Sequence, residues 1–132
     1  MSAEAWYLDS SALVKTVVEE PESSALRAWL RDKDRLVACE LVRVEVVRAI
    51  RVSDPDAVDD ARQALATLTL IRVDRELYEA AAVLDPPLLR SLDALHLAAA
   101  LAVGPALAAV VTYDARMTDA ARALGLRVEA PT

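Results

Sequence analysis

Five short apolar runs punctuate this chain: Trp6-Tyr7-Leu8, Leu36-Val37-Ala38, Leu70-Ile71-Arg72-Val73, Ala108 to Tyr113 and Leu126-Arg127-Val128. Between them lie longer segments whose apolar residues recur at helical spacing. Runs this short suit strands, and the longer period suits helices with one apolar face. Strands that alternate with helices are joined by right-handed crossovers, which gives a short, mainly parallel sheet with helices on both faces. The expected class is therefore α/β with three layers. A chain of 132 residues without linkers or repeats fits one domain spanning residues 1–132. Its apolar content is carried by Ala, Leu and Val, with no Phe, as closely packed helices require.

Ser10-Ser11 offer a hydroxyl cap for a first helix to about Val18, which Pro21 interrupts. A second opens at Pro21-Glu22-Ser23-Ser24 and carries Leu26, Trp29 and Leu30 on one face. The third runs from Glu40 to about Val52 with Val42, Val46, Ala49 and Ile50 in one stripe. A fourth, Ala57 to Leu68, follows the turn Ser53-Asp54-Pro55-Asp56. Asp74 caps a helix to about Leu84, which Asp85-Pro86-Pro87 stops by removing backbone donors. Ser91 caps a helix from Leu92 to about Val103, and the last helix, Arg116 to Leu124, ends at Gly125.

A net charge of −6 argues against a general nucleic-acid coat, whose sequence-independent affinity comes from Lys and Arg neutralising phosphates. It is compatible with an enzyme that cuts nucleic acid, for which Lys15, Arg43, Arg48, Arg51, Arg90 and Arg116 would supply a local basic rim. Cys39 is the only cysteine, so no intramolecular disulfide forms, and a buried spectator thiol is expected. With no basic-then-apolar leader, the chain reads as cytoplasmic. The tract Leu97 to Val111 is interrupted by Gly104-Pro105 and is too short to cross a bilayer, so no membrane segment is expected.

In open parallel sheets ligands bind beyond the carboxyl ends of the strands, where strand order reverses. Asp9 and Asp114 each follow a strand, Asp93 opens a helix and Glu45 lies within one. Gathered acids repel and raise one another's pKa values unless a hard cation neutralises them. Each aspartate also has a plainer reading, because a carboxylate at a helix N-terminus caps amides and meets the positive end of the dipole. Asp74 is an internal control: it too follows a strand and opens a helix, in an Asp-Arg-Glu-Leu context that needs only capping. Asp93 is harder to dismiss, since Ser91 already supplies a cap and Ala94-Leu95-His96-Leu97 makes a buried helix. Glu45 is expected mid-helix beside Val44, Val46 and Val47, where neither cap nor dipole accounts for it. Its plainer reading is an exposed pair with a neighbouring Arg. Glu40 lies about 140° round the helix from Glu45, so the two point apart, and Glu40 is read as a helix-start residue.

His96, three residues past Asp93, invites a proton relay or a zinc site. With no second His and one Cys, a convincing zinc ligand set is lacking, and an all-oxygen site suits Mg²⁺ or Mn²⁺. Ser10 and Ser11 are read as caps, since no nucleophile elbow or phosphate loop accompanies them. Thr112 stands two residues before Asp114 on the same strand and faces the same side, where it could hydrogen-bond water held by a cation; its plainer reading is strand propensity alone.

Four segments, Tyr7 to Lys15, Arg43 to Ala49, Ser91 to Ala100 and Val111 to Met117, followed by Ala120-Ala121 and Gly125, resemble the PIN-domain family, in particular its VapC-type toxins. The match spans essentially the whole chain, in order. By this resemblance Asp9, Glu45, Asp93 and Asp114 take the family's acidic, metal-holding positions, and Thr112 its small hydroxyl position. Asp9 and Asp93 would be direct ligands. Glu45 and Asp114 would act through water, or orient and deprotonate the attacking water. The resemblance implies a Mg²⁺- or Mn²⁺-dependent endoribonuclease with RNA as substrate, the toxin of a toxin–antitoxin pair. It also implies a homodimer held inactive by a small VapB-type antitoxin, for whose helix Leu26, Trp29 and Leu30 would line a groove.

Two other classes compete. Metal-dependent phosphatases and receiver-like phosphoacceptors also place Asp after a first strand. The phosphatase needs a second acid where this chain has Ser11, and the receiver lacks its Lys near the last strand and leaves Glu45 unexplained. The third reading is a catalytically inactive PIN-like interaction module.

Overall fold

The computed structural model, which describes residues 4–132, contains the strands β1 (Ala5–Leu8), β2 (Arg35–Cys39), β3 (Thr69–Ile71), β4 (Leu107–Val111) and β5 (Val128–Glu129). They form one parallel sheet in the order β3-β2-β1-β4-β5. Parallel neighbours cannot be joined by a tight hairpin, so helices fill every crossover. These are α1 (Ser10–Val17), α2 (Ser23–Leu30), α3 (Val42–Ser53), α4 (Val58–Ala66), α5 (Arg75–Ala82), α6 (Ser91–Val103) and α7 (Ala115–Ala123). The three-layer α/β expectation holds.

Successive side chains of a strand point to opposite faces, which sorts the core into two layers. Trp6 and Leu8 join Ala38, Ala109 and Val111 against Leu13 of α1, Leu26 of α2, Val46 and Ile50 of α3, and Ala61 and Leu65 of α4. Ala5 and Tyr7 join Val37, Cys39 and Val110 against α5 and α6. Every residue of β1 is buried, as a central parallel strand requires. Ala94 to Ala100 of α6 are buried without a break, which a helix apolar on all sides demands, and its Leu97 receives Met117, Ala120 and Ala121 of α7. Cys39 is a buried free thiol. Among the described residues, no helix is long and apolar enough to cross a membrane.

The path runs from β1 outward to β2 and β3, then returns across β1 to β4 and β5. Strand order therefore reverses between β1 and β4. There Leu8 pairs with Val111, and the Asp9 amide donates to the Val111 carbonyl at 3.3 Å. β3 lies at the sheet edge, so Asp74 sits away from this point and caps α5 by accepting the Leu77 amide at 2.9 Å.

Several local expectations are corrected. Asp9, not a serine, caps α1, because its extended backbone aims the carboxylate at the Ala12 amide while Ser10 is already helical. Ser91 caps nothing: α6 begins at Ser91 itself, and Arg90 occupies the cap position without a side-chain bond. α3 begins at Val42, since Glu40 instead accepts the Val73 amide at 2.7 Å and ties the end of β2 to the loop after β3. Glu45 consequently stands in the first turn of α3, where the helix dipole favours a carboxylate, and not mid-helix. Of the two readings open to the α2 face, a groove for a partner helix or packing on the sheet, packing on the core accounts for most of it, with Leu26 fully buried and Trp29 edge-on to Trp6 at 5.0 Å between ring centres.

Candidate active site

Asp9 lies at the end of β1 and is only 4% exposed. Its Oδ1 accepts the Ser11 hydroxyl at 2.6 Å and the Ala12 amide at 3.1 Å, and its Oδ2 accepts the Thr112 hydroxyl at 2.5 Å. The two hydroxyls then reach back to the chain after β4: Ser11 Oγ accepts the Tyr113 amide at 3.0 Å, and Thr112 Oγ1 accepts the Asp114 amide at 3.1 Å. Each hydroxyl has a single hydrogen, already given to Asp9, so their mutual approach of 3.4 Å is a contact only. Burial pushes the Asp9 carboxyl above its ordinary range, against the downward pull of the bonds from Ser11, Thr112 and Ala12. Ser11, read from sequence as a cap, is thus a partner of the acid. Its second bond, from the Tyr113 amide, spans 102 residues and lies beyond the reach of local pattern.

Glu45, Asp93 and Asp114 line one cleft of about 590 Å³ together with Ser10, Ser91, Arg90 and Arg116. Asp9 lies immediately behind Ser10 in the chain. Asp93, in the first turn of α6, is raised by burial, then by the negative charge of Asp114 and, more weakly, of Glu45; His96 and Arg90 oppose this. Asp114 is exposed and caps α7, with Oδ1 accepting the Arg116 and Met117 amides at 2.8 and 3.2 Å. Capping and membership of the cleft are therefore compatible. Of the expected basic rim, Arg90 and Arg116 reach the cleft. Lys15 is committed to Glu22 and Glu20 at 3.0 and 3.3 Å, and Arg48 and Arg51 line a separate concavity with Val52.

His96 has a role that its neighbours in sequence did not reveal. It is buried, its Nε2 lies 2.6 Å from Glu45 Oε1, and its Nδ1 lies 2.7 Å from the Tyr7 hydroxyl. The available signal was a single histidine inside an otherwise apolar buried helix; its partners are 51 and 89 residues away. Among the described residues, no three of the His, Cys, Asp and Glu side chains stand close enough to share one ion as they are.

The PIN domain family profile matches residues 6–123, which takes in all four acids. The chain belongs to the PIN-domain family, and within it to the VapC-type ribonucleases. It is 49% identical over 126 residues to Ribonuclease VapC46 of Mycobacterium tuberculosis, covering 96% of this chain and 97% of that one. Ribonuclease VapC35 of the same species is 44% identical over 129 residues, with 95% and 96% covered. The fold matches crystal structures of M. tuberculosis VapC20, described as a Sarcin-Ricin loop cleaving toxin (TM-score 0.76, 16% identity, 96% and 99% covered), and of VapBC2 from Rickettsia felis bound to promoter DNA (0.69, 15%, 97% and 99%). PIN-domain ribonucleases generally work with divalent metal ions.

The donors present here suit such an ion. All are carboxylate oxygens, the choice of a hard cation, and the charges of Asp114 and Glu45 that add to burial in raising Asp93 are of the kind a cation neutralises. Asp9 also retains capacity: of about four lone-pair sites on a carboxylate, three are taken, and the unused one is on Oδ2.

Proposed function

We propose that this VapC-type ribonuclease acts as a single domain, hydrolysing RNA phosphodiester bonds with Mg²⁺ or Mn²⁺ held by Asp9, Glu45, Asp93 and Asp114. The observation that carries this reading is the shared cleft of Glu45, Asp93 and Asp114 with Ser10, whose neighbour in the chain, the buried Asp9, ends β1 where strand order reverses. Asp9 and Asp93 are the assigned direct ligands, while the spacing of the acids fits water-mediated contact for the others, since Mg²⁺ keeps several of its waters. When bound, the ion polarises the phosphoryl oxygens and acidifies the attacking water.

The protein groups do the rest. Thr112 and Ser11 fix both oxygens of Asp9, so that its one unused lone pair has a defined direction. Asp114 has one oxygen committed to amides and the other available to orient and accept a proton from the attacking water. Arg90 and Arg116 line the cleft and offer guanidinium groups to the phosphates, which lets an acidic chain bind an acidic polymer. The same acidic cleft, exposed to the cytoplasm, calls for control. The reading therefore includes a cognate VapB-type antitoxin, as in the VapBC2 complex, and a homodimeric toxin.

The test is cleavage of a structured RNA by the purified chain. Activity is expected with Mn²⁺, abolished by chelator, and lost in Glu45→Gln. Wild-type cleavage by Glu45→Gln, or cleavage indifferent to chelator, contradicts the assignment. Phosphorylation of Asp9 by an acyl-phosphate donor would favour the phosphoacceptor class instead. Inducing the chain with and without the adjacent small open reading frame, and mapping new RNA ends, tests the partner.

A further inference from the structure

The Tyr7 hydroxyl is buried on the α5–α6 side of the sheet and makes two hydrogen bonds: it accepts the Cys39 amide at 3.1 Å and meets His96 Nδ1 at 2.7 Å. A phenol has one hydrogen. The Cys39 amide can only donate, and among the described residues the Tyr7 hydroxyl has no other acceptor, so its hydrogen is used only by going to Nδ1, which then offers a lone pair. The imidazole then carries its hydrogen on Nε2 and donates it to Glu45 Oε1 at 2.6 Å. Direction is thus imposed from one end: a backbone amide of β2 fixes Tyr7, Tyr7 fixes the tautomer of His96, and His96 fixes a carboxylate.

We propose that Tyr7 and His96 are positioning residues for RNA cleavage: this directed chain of hydrogen bonds pins Oε1 of Glu45 and leaves Oε2 as the oxygen that Glu45 presents to the cleft. A glutamate has three rotatable side-chain bonds, and a single oxygen held by a buried partner removes most of that freedom before substrate arrives. These hydrogen bonds also link β1 and α6 to α3, and α3 and α6 carry Glu45 and Asp93 to the cleft. The proposal rests on the reading of Glu45 as a working acid of the site.

The chain contains one histidine, so a long-range ¹H–¹⁵N spectrum of the labelled protein without metal or RNA reports His96 alone. The expected pattern is a protonated Nε2 and an unprotonated Nδ1, with the preference lost in Tyr7→Phe. A hydrogen on Nδ1, or an even mixture in the parent, overturns the proposal. In single-turnover cleavage, Tyr7→Phe and His96→Ala are expected to lower the rate about 10–100-fold with little change in RNA affinity. His96→Gln, whose amide still donates toward Glu45, regains most of it. None of these changes lowers the residual rate of Glu45→Gln further. Full additional losses in that background, or wild-type rates for His96→Ala beside an inactive Glu45→Gln, overturn the positioning role alone. A Glu45→Gln variant as active as the parent removes the reading beneath it as well.

Discussion

Asp9 and Asp74 do the same local job. Each ends the stretch after a strand and caps the following helix by accepting the amide three residues on, at 3.1 Å for Ala12 and 2.9 Å for Leu77. Their surroundings differ completely. Asp74 follows the edge strand β3, is exposed and has no acid of the cleft beside it. Asp9 follows the central strand β1, is 4% exposed, and receives two hydroxyls that tie it to the end of β4. Capping is common to both residues; what separates them is the position of their strands in the sheet.

The largest test of that contrast is the paired substitution. Asp9→Asn is expected to reduce RNA cleavage by more than about 100-fold, beyond what loss of an outer-shell partner causes. Asp74→Ala is expected to cleave at the parent rate while losing about 1 kcal/mol of stability in denaturant titration, the usual cost of a lost cap. Equal effects on cleavage would erase the distinction. A smaller effect is expected from Thr112→Val, which removes the donor to buried Asp9 Oδ2 and the acceptor of the Asp114 amide. Cleavage should fall about 10–100-fold and stability by about 1–3 kcal/mol, whereas a parent-like cleavage rate would reduce Thr112 to strand propensity.

The smallest effect is a pH dependence. Burial and the negative charge of Asp114 raise the Asp93 carboxyl in the folded state, so the folded chain holds that proton more tightly than the unfolded one. Stability is therefore lost as pH rises from the unfolded value near about 4 through the raised folded value. In chelator, Asp93→Asn should melt above the parent at pH 7, with the difference vanishing toward pH 3. Divalent cation should also close the gap at pH 7. A difference that stays constant with pH would mean that Asp93 carries no such penalty.

Much of the fold was legible because alternating periodicity is a local property: runs such as Trp6-Tyr7-Leu8 and stripes such as Val42, Val46 and Ile50 declare themselves within a few residues. Helix starts were less legible where a side chain had a better use elsewhere. Glu40 left α3 to bond Val73, 33 residues on, and Ser11 gave its hydroxyl to Asp9 and accepted Tyr113. The four acids could be picked out as candidates from their flanks, but Glu45 stands in the first turn of α3, where the dipole favours it, and not mid-helix. What singles it out is His96, a contact across 51 residues that only the packed sheet creates. The same packing separates Lys15, Arg48 and Arg51 from Arg90 and Arg116, which sequence proximity had grouped.

Anomalous diffraction from crystals of the chain soaked in Mn²⁺ would test the central claim most directly. A peak inside the cleft among Glu45, Asp93 and Asp114, with Asp9 contributing Oδ2, is the predicted result. No peak there at saturating Mn²⁺, or a peak at Asp74 with the cleft empty, would contradict it.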